Sequence, residues 1–298
     1  MRVLITGITG SLGKRLVPHY LNKGHQIRGL SRCEDKQSRL IQKYPGLDLE
    51  LGDIRSKNDC LRATRNCDLI VHTAALKRIE MGEKFPFQFI QTNLLGTINM
   101  VESAWYNRVP KMVFVSTDKA VEPINVYGMT KALSEKIVTN SGFNCVRYGN
   151  VNNSRGSVIP LWKKLSAEGK KLPITNKEMT RFMISMRKAI SLIDLASTNM
   201  SGSIYIPKLY SSKVIDIARL FDTRKDFFQL VGERPGEKLH EVLINQDEFR
   251  NRVEEHSDYF IVRKQSTEKT VKKKGEYSSS NAKHLKGSEL KKYLGEYL

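Results

Sequence analysis

The sequence predicts an α/β protein: a doubly wound parallel sheet followed by a smaller C-terminal lobe. Three observations carry that prediction. Short apolar runs alternate with helix-forming segments through the first 150 residues, the pattern of strands and helices wound about a parallel sheet. The first run leads at once into Gly7-Ile8-Thr9-Gly10-Ser11-Leu12-Gly13, a glycine-rich turn entering a helix. A later run, residues 113–115, ends in Ser116-Thr117-Asp118-Lys119, and Tyr127 and Lys131 follow on the next helix.

Arg2–Thr6 is the first strand. The glycines after it permit a tight turn and let a diphosphate approach the backbone. The helix that follows, to about residue 22, adds amide groups and the positive end of a dipole. Gly7, Thr9, Gly10, Ser11, Leu12 and Gly13 are therefore candidate cofactor-binding residues. Pro18 falls inside that helix, where a kink or one lost hydrogen bond is expected. Residues 26–30 form the second strand, whose end selects the dinucleotide. An acidic residue there would bind the ribose 2′-hydroxyl of NAD. Ser31 and Arg32 stand there instead, with Lys36 close behind, and a hydroxyl and guanidinium suit the 2′-phosphate of NADP. Glu34 and Asp35 keep NAD open. Residues 47–51 and 68–72 are the third and fourth strands. Beyond the third, Asp53, followed by Ile54, either accepts from an adenine amino group or forms a turn. Beyond the fourth, Ala74 and Ala75 are small enough for a ribose to lie close, and Lys77 reaches a phosphate or the substrate. His72 reads as a packed strand residue.

Residues 86–107 read as a long helix interrupted by little except Gly96. After the fifth strand, at 113–115, Asn125 caps a helix to about residue 140. Residues 144–147 are the sixth strand, ending Tyr148-Gly149-Asn150-Val151. A polar loop at 152–157 precedes a helix at 158–168. Residues 179–182 read as an edge strand, and a helix at 185–200 packs back on the sheet. Residues 232–238 form a charged turn before a helix beginning near Leu239. Residues 264–284, rich in Lys, Ser and Thr, read as a mobile or exposed loop. Residues 1–150 thus form a dinucleotide-binding domain to which 185–206 return, and 151–298 form mainly the second lobe.

With 298 residues the chain can bury a sizeable core. No apolar run approaches the roughly 20 residues of a membrane span, and Met1 leads straight into a strand, so no signal peptide is read. Cys33, Cys60, Cys67 and Cys145 lack metal-ligand or disulfide-framework spacing, which fits reduced thiols in the cytoplasm and no metal. The net charge of +19 is spread over both halves and suggests anionic partners. No nucleic-acid motif or aromatic platform accompanies it, so a solvated lysine-rich surface is the expected reading.

Four residues apart on one helix, Tyr127 and Lys131 share a face. An ammonium beside a phenol favours the phenolate, which makes Tyr127 a candidate base near neutral pH. Such a pair is common on exposed helices, and its place in a chain that opens with a nucleotide loop gives it weight. Asp118 and Lys119 sit at the C-terminal end of a strand, where open α/β sheets put their ligands. Elsewhere they would read as a surface ion pair in a turn.

On these residues the chain resembles the extended short-chain dehydrogenase/reductases, with their Rossmann fold. Within them it is similar to the soluble UDP-N-acetylglucosamine 4,6-dehydratases that invert carbon 5. The resemblance rests on the glycine loop, Ala74-Ala75-Leu76-Lys77, Ser116-Thr117-Asp118-Lys119-Ala120-Val121, Asn125-Val126-Tyr127-Gly128-Met129-Thr130-Lys131, Arg147-Tyr148-Gly149-Asn150-Val151 and Arg234-Pro235-Gly236-Glu237-Lys238-Leu239-His240-Glu241. It implies a tightly bound NADP that is recycled each turnover, and a UDP-sugar substrate. Tyr127 takes the 4-hydroxyl proton, with Thr117 orienting that hydroxyl and Lys131 depressing the phenol. Lys119, as neutral amine, removes the carbon 5 proton, and a protonated Asp118 donates to the departing 6-hydroxyl. Hydride then returns to carbon 6, giving the 4-keto-6-deoxy sugar of L-arabino configuration. Asn150, Arg181 and Arg234 are implied at the diphosphate, Glu237 at the uridine ribose, and Lys77, Thr117 and Tyr127 at the sugar. The resemblance further implies a homo-oligomer in glycan biosynthesis. A retaining dehydratase or a 4-epimerase on the same scaffold is the alternative, and an NADP-sensing or nucleic-acid-binding protein is the non-catalytic one.

Overall fold

The computed structural model describes residues 1–152, 158–271 and 274–295. Strands β1 (Arg2–Thr6), β2 (Gln26–Ser31), β3 (Asp48–Leu51), β4 (Leu69–His72), β5 (Lys111–Val115) and β6 (Asn144–Val146) run parallel, in the spatial order 3-2-1-4-5-6. Helices α1 (Gly13–Leu21), α2 (Glu34–Lys43) and α3 (Lys57–Thr64) connect the first four. The winding reverses between β1 and β4, and a crevice opens there at the strands' C-terminal ends. This is the expected doubly wound fold.

Between β4 and β5 lie α4 (Ile79–Lys84), α5 (Pro86–Phe89), a π-helical turn (Ile90–Leu95) and α6 (Gly96–Tyr106). The single long helix expected there is thus broken in register by the π turn. Between β5 and β6 come a 3₁₀ turn (Asp118–Ala120) and α7 (Val126–Asn140). Helix α1 continues through Pro18, whose carbonyl still accepts from Asn22, so only the missing proline N–H is lost.

The rest of the chain adds β7 (Asn150–Val151), α8 (Val158–Ala167), β8 (Leu172–Ile174), β9 (Thr180–Ile184), α9 (Met186–Thr198), β10 (Ile204–Pro207), β11 (Tyr210–Lys213), α10 (Val214–Arg219), β12 (Phe228–Leu230) and β13 (Val242–Ile244). It ends with α11 (Gln246–Asn251), β14 (Val253–Glu255), β15 (Tyr259–Val262), β16 (Thr270–Val271), β17 (Tyr277–Ser278) and α12 (Gly287–Tyr293). Strand β10 joins β6 in parallel, and β15, β14 and β16 extend the main sheet to ten strands. Helix α9, capped by the Ser185 side chain, packs on β5, β6 and β10 as expected. A second apolar core, around Trp162, Leu172, Phe227 and Leu290, lies among α8, β8, α10 and α12.

Three expectations are corrected. Of the expected edge strand 179–182, residues 180–182 belong to the central strand of a three-stranded sheet: β9 lies between β11 and β7, and all five of its residues are buried. No helix begins near Leu239. The Leu239 carbonyl accepts from Thr180 N and Arg181 Nη1, and Glu241 exchanges hydrogen bonds with Ser279, so neighbours claim the backbone that a helix would use. The stretch 264–284 is partly ordered into sheets, through β16 on β14 and β17 on β13, with Ser278 and Ser279 fully buried. Lys272 and Lys273, and residues 153–157 of the expected polar loop, lie outside the described residues.

One buried ion-pair network ties these parts together. Arg147, just past β6, donates to both carboxylate oxygens of Glu135 on α7 (3.0 and 2.6 Å) and of Glu248 on α11 (2.9 and 3.0 Å), and to the Leu243 carbonyl (2.9 Å). Glu248 also closes the capping box of α11 with Asn245. Arg147→Met would strand two buried carboxylates. We expect a loss of about 3–5 kcal/mol in urea unfolding, partly recovered when Glu135→Gln and Glu248→Gln are added.

Candidate active site

A cavity of about 1330 Å³ runs from the glycine loop to the second lobe. Every candidate residue lines it except Gly13 and Asp118, which lie just beneath its wall. A Cβ at Gly13 would stand 2.5 Å from the Gly7 carbonyl, so this glycine lets α1 pack under the loop. Gly7 itself has φ +65°, and a Cβ there would meet the Ala74 backbone at 3.0 Å. No side chain caps the start of α1, so none competes with a diphosphate for its first amides. The cradle fits a dinucleotide.

At the end of β2, Ser31 is nearly buried, and its hydroxyl and carbonyl accept from Gln37 Nε2. Arg32 is half exposed, 3.6 Å from Asp53 Oδ2. Asp53 also accepts from the Arg55 backbone N (3.0 Å) and Nε (2.8 Å). Burial would raise the Asp53 carboxyl, but these Arg55 bonds hold it below its usual range. Of its two sequence readings, the structure shows the turn-forming one. Thr6 Oγ1 accepts from the backbone N of Thr73 and Ala74 and contacts His72 Nδ1 at 2.7 Å. His72 is a packed strand residue, pushed down to about 3 chiefly by burial. Asn93, in the π turn, clamps both polar backbone atoms of Leu76 and so shapes the loop that carries Ala74 to Lys77.

The remaining candidates converge at the end of β5. Helix α7 starts where Asn125 Oδ1 accepts from Gly128 N (2.7 Å), while Asn125 Nδ2 donates to the Gly236 carbonyl (2.8 Å). The cap thus fastens the charged 232–238 turn to the helix that carries Tyr127. A Cβ at Gly128 would lie 2.1 Å from the Lys119 carbonyl, so only glycine lets α7 meet the 3₁₀ turn. Lys119 Nζ donates to Asp118 Oδ1 (3.0 Å) and pairs with Glu241 Oε1 (2.9 Å). Thr117 Oγ1 also donates to Asp118 Oδ1 (3.0 Å).

Two expectations about charge are corrected here. Lys119 is held as the ammonium: burial opposes the charge, but Asp118 and Glu241 together raise its pKa. That direction runs against the expected neutral amine. Burial also pushes Tyr127 up to about 12, against the opposing pull of Lys119 and the Thr117 hydroxyl. Lys131 does not stabilise the phenolate here. Its Nζ donates to the Val115 carbonyl (2.6 Å), lies 3.7 Å from the Phe114 ring centroid, and is lowered to about 7 by burial. Sharing a helix face sets neighbourhood, whereas the nearest unpaired carbonyl sets where an ammonium points.

Toward the second lobe, Arg181 on β9 is buried. It donates to the Thr180 and Leu239 carbonyls, with Glu237 Oε1 at 3.8 Å and Glu241 Oε1 at 3.9 Å. Arg234 is exposed and paired with Glu80 (2.7 Å), and Asn150 is exposed on β7. Glu241 was not among the sequence candidates. Its signal was a carboxylate immediately before the apolar strand Val242–Ile244, within the charged motif.

Comparison with known proteins matches the family described as polysaccharide biosynthesis protein over residues 3–264. The chain belongs to that family. This member is 37% identical to a UDP-N-acetylglucosamine 4,6-dehydratase (inverting) of Campylobacter jejuni, over 97% of the chain and 90% of the relative. It is also 34% identical to a UDP-glucose 4-epimerase of Rickettsia canadensis, over 98% and 94%. The solved structure of Pen from Bacillus thuringiensis superposes with a TM-score of 0.92 at 32% identity, over 99% of this chain and 98% of that one. The family member has the extended short-chain dehydrogenase/reductase fold, and among its described residues no helix is long and apolar enough to cross a membrane.

The Lys131 environment sets a pH dependence. Its folded pKa, about 7, lies below the ordinary 10.5, so between these values the unfolded chain binds more protons and stability rises with pH. We expect Lys131→Met to flatten that rise by up to about 1.4 kcal/mol per pH unit, measured as the difference in urea stability between variant and parent from neutral to mildly alkaline pH.

Proposed function

We propose that the protein is an NADP-dependent UDP-N-acetylglucosamine 4,6-dehydratase that inverts carbon 5. The observation that carries this reading is the Asp118–Lys119 contact of 3.0 Å at the end of β5, with Lys119 lining the same cavity as Tyr127. Chemistry at carbon 4 alone would need no second acid and base. The inverting relative from Campylobacter jejuni supports the choice.

Gly7, Gly10 and the start of α1 would hold the dinucleotide diphosphate, with Arg32 and Lys36 at a 2′-phosphate and Ala74 and Ala75 beside a ribose. A nicotinamide held there would supply the hydride acceptor for carbon 4 and the hydride for carbon 6. Tyr127 takes the 4-hydroxyl proton, oriented by Thr117. A cationic group arriving beside the phenol offsets the burial that otherwise raises it. The 4-ketone then acidifies carbon 5. Lys119 passes one proton to Asp118 across their hydrogen bond, leaving a neutral amine and a carboxylic acid. The amine takes the carbon 5 proton, and Asp118 protonates the departing 6-hydroxyl, which leaves as water. Both groups return to their starting charges. The proton held by Tyr127 closes the balance at carbon 5. Arg181, Arg234 and Asn150 would receive the UDP diphosphate, Glu237 the ribose, and Lys77 the sugar or a phosphate.

The test is incubation with UDP-N-acetylglucosamine in deuterated water, read by NMR. A dehydrated 4-keto product with deuterium at carbon 5 and L-arabino couplings is expected. A carbon 5-retained product would sink the inversion, and a carbon 4 epimer with no loss of water would favour the epimerase reading. Arg32→Ala should weaken NADP binding about tenfold and spare NAD, checked by titrating each cofactor calorimetrically.

A further inference from the structure

We propose, on the dehydratase reading, that Glu241 is a positioning residue for the elimination of water. From the second lobe it holds Lys119 against Asp118 and keeps the cluster's negative charge on itself, so that the mobile proton passes only between Lys119 and Asp118.

The arrangement is asymmetric. Two carboxylates share one ammonium, at 3.0 Å and 2.9 Å. The second cation, Arg181, stands on the Glu241 side, with Nε 3.9 Å from Glu241 Oε1. Asp118 has no such neighbour. Its Oδ1 takes the Thr117 hydroxyl, and its Oδ2 is buried with no hydrogen-bond partner. Glu241 is 1% exposed, and its Oε2 is likewise without a partner. An incompletely bonded buried carboxylate costs stability, so its presence calls for a use. Its backbone is fixed by Ser279 on both sides, as donor and acceptor. The other charged or titratable groups packed around it do not compete for Lys119. Lys238 Nζ donates to the Val121 carbonyl, His240 Nδ1 contacts the Thr180 hydroxyl, and Glu237 leans on Arg181. Tyr127, on α7, is held neutral by burial. Protonation follows the same asymmetry. Burial pushes the Asp118 carboxyl up, with Glu241 adding and Lys119 opposing. Burial would also raise Glu241, but Lys119 and Arg181 outweigh it and hold the group low.

Glu241→Gln removes the fixed anion and keeps the shape. Asp118 is then the carboxylate left to Lys119 and gives up its proton more readily. With UDP-N-acetylglucosamine, the kcat of dehydration should fall about 10- to 100-fold, and the alkaline limb of its pH profile should move down by about one unit. Carbon 4 oxidation should persist, so absorbance of the reduced bound cofactor should accumulate where the parent shows only a transient. Glu241→Asp keeps the charge and should lie between parent and Gln variant. An unchanged kcat and profile, or equal loss of oxidation and dehydration, would overturn the proposal, as would failure of both variants to fold with cofactor bound. A parent enzyme that forms no dehydrated product would instead overturn the dehydratase reading itself.

Discussion

The structure depends on the buried guanidinium of Arg147. Three parts of the chain must meet at one crevice: the parallel sheet, helix α7 with Tyr127 and Lys131, and the C-terminal segment with Glu237 and Glu241. Arg147 sits where they join, with Glu135 of α7 on one side and Glu248 of α11 on the other. Glu135 lies one helical turn beyond Lys131, so a fixed Glu135 fixes the height and rotation of the face that carries Lys131 and Tyr127. Leu243, which accepts from the same guanidinium, lies in β13, directly after Glu241. The planar fork of arginine can satisfy two carboxylates and a carbonyl at once, which a lysine could not.

Inside the crevice, burial and charge pull in opposite directions, and the winner differs from residue to residue. Lys131 has a carbonyl and a ring face as partners, so desolvation prevails and its ammonium is weakly held. Lys119 has two carboxylates, so charge prevails. Tyr127 has Lys119 as the opposing cation, and burial outweighs it. The proposed mechanism needs one proton to cross the 3.0 Å hydrogen bond between Lys119 and Asp118 and one cationic group to approach the phenol.

Most of this was legible in the sequence where local pattern decides structure. The six parallel strands, the glycine turn, the Asn125 cap and the helix at 186–198 all follow from apolar runs, caps and spacing. The second half was harder because its pairings are long-range. Strand β9 looks like an edge strand until β11 and β7 are seen on either side of it. A helix seemed to begin near Leu239 because nothing local announces that Thr180 and Arg181 will claim its carbonyl. The polar stretch after residue 264 carries two short strands whose partners lie well before it, β14 and β13. In the site, sequence spacing located Tyr127, Lys131, Asp118 and Lys119 but not the direction of each ammonium, and it passed over Glu241, whose meaning comes from a contact across 122 positions.

Related proteins on this scaffold carry the names of both dehydratases and epimerases, so a family match leaves the reaction open. Energetics narrows it. Moving a hydride at carbon 4 and a proton at its hydroxyl requires a phenol and a hydride acceptor, and nothing more. Removing a proton from carbon 5 and a hydroxide from carbon 6 requires a base and an acid poised together. Burying Asp118, Lys119, Glu241 and Arg181 in one wall costs several kcal/mol in desolvation that their mutual attraction repays only in part, and the cluster leaves carboxylate oxygens of Asp118 and Glu241 without hydrogen bonds. Apolar residues of similar volume often make such a wall as stable or more stable. A cluster buried at that cost beside Tyr127 is understandable under the proposed reading, in which the second acid and base serve the elimination of water.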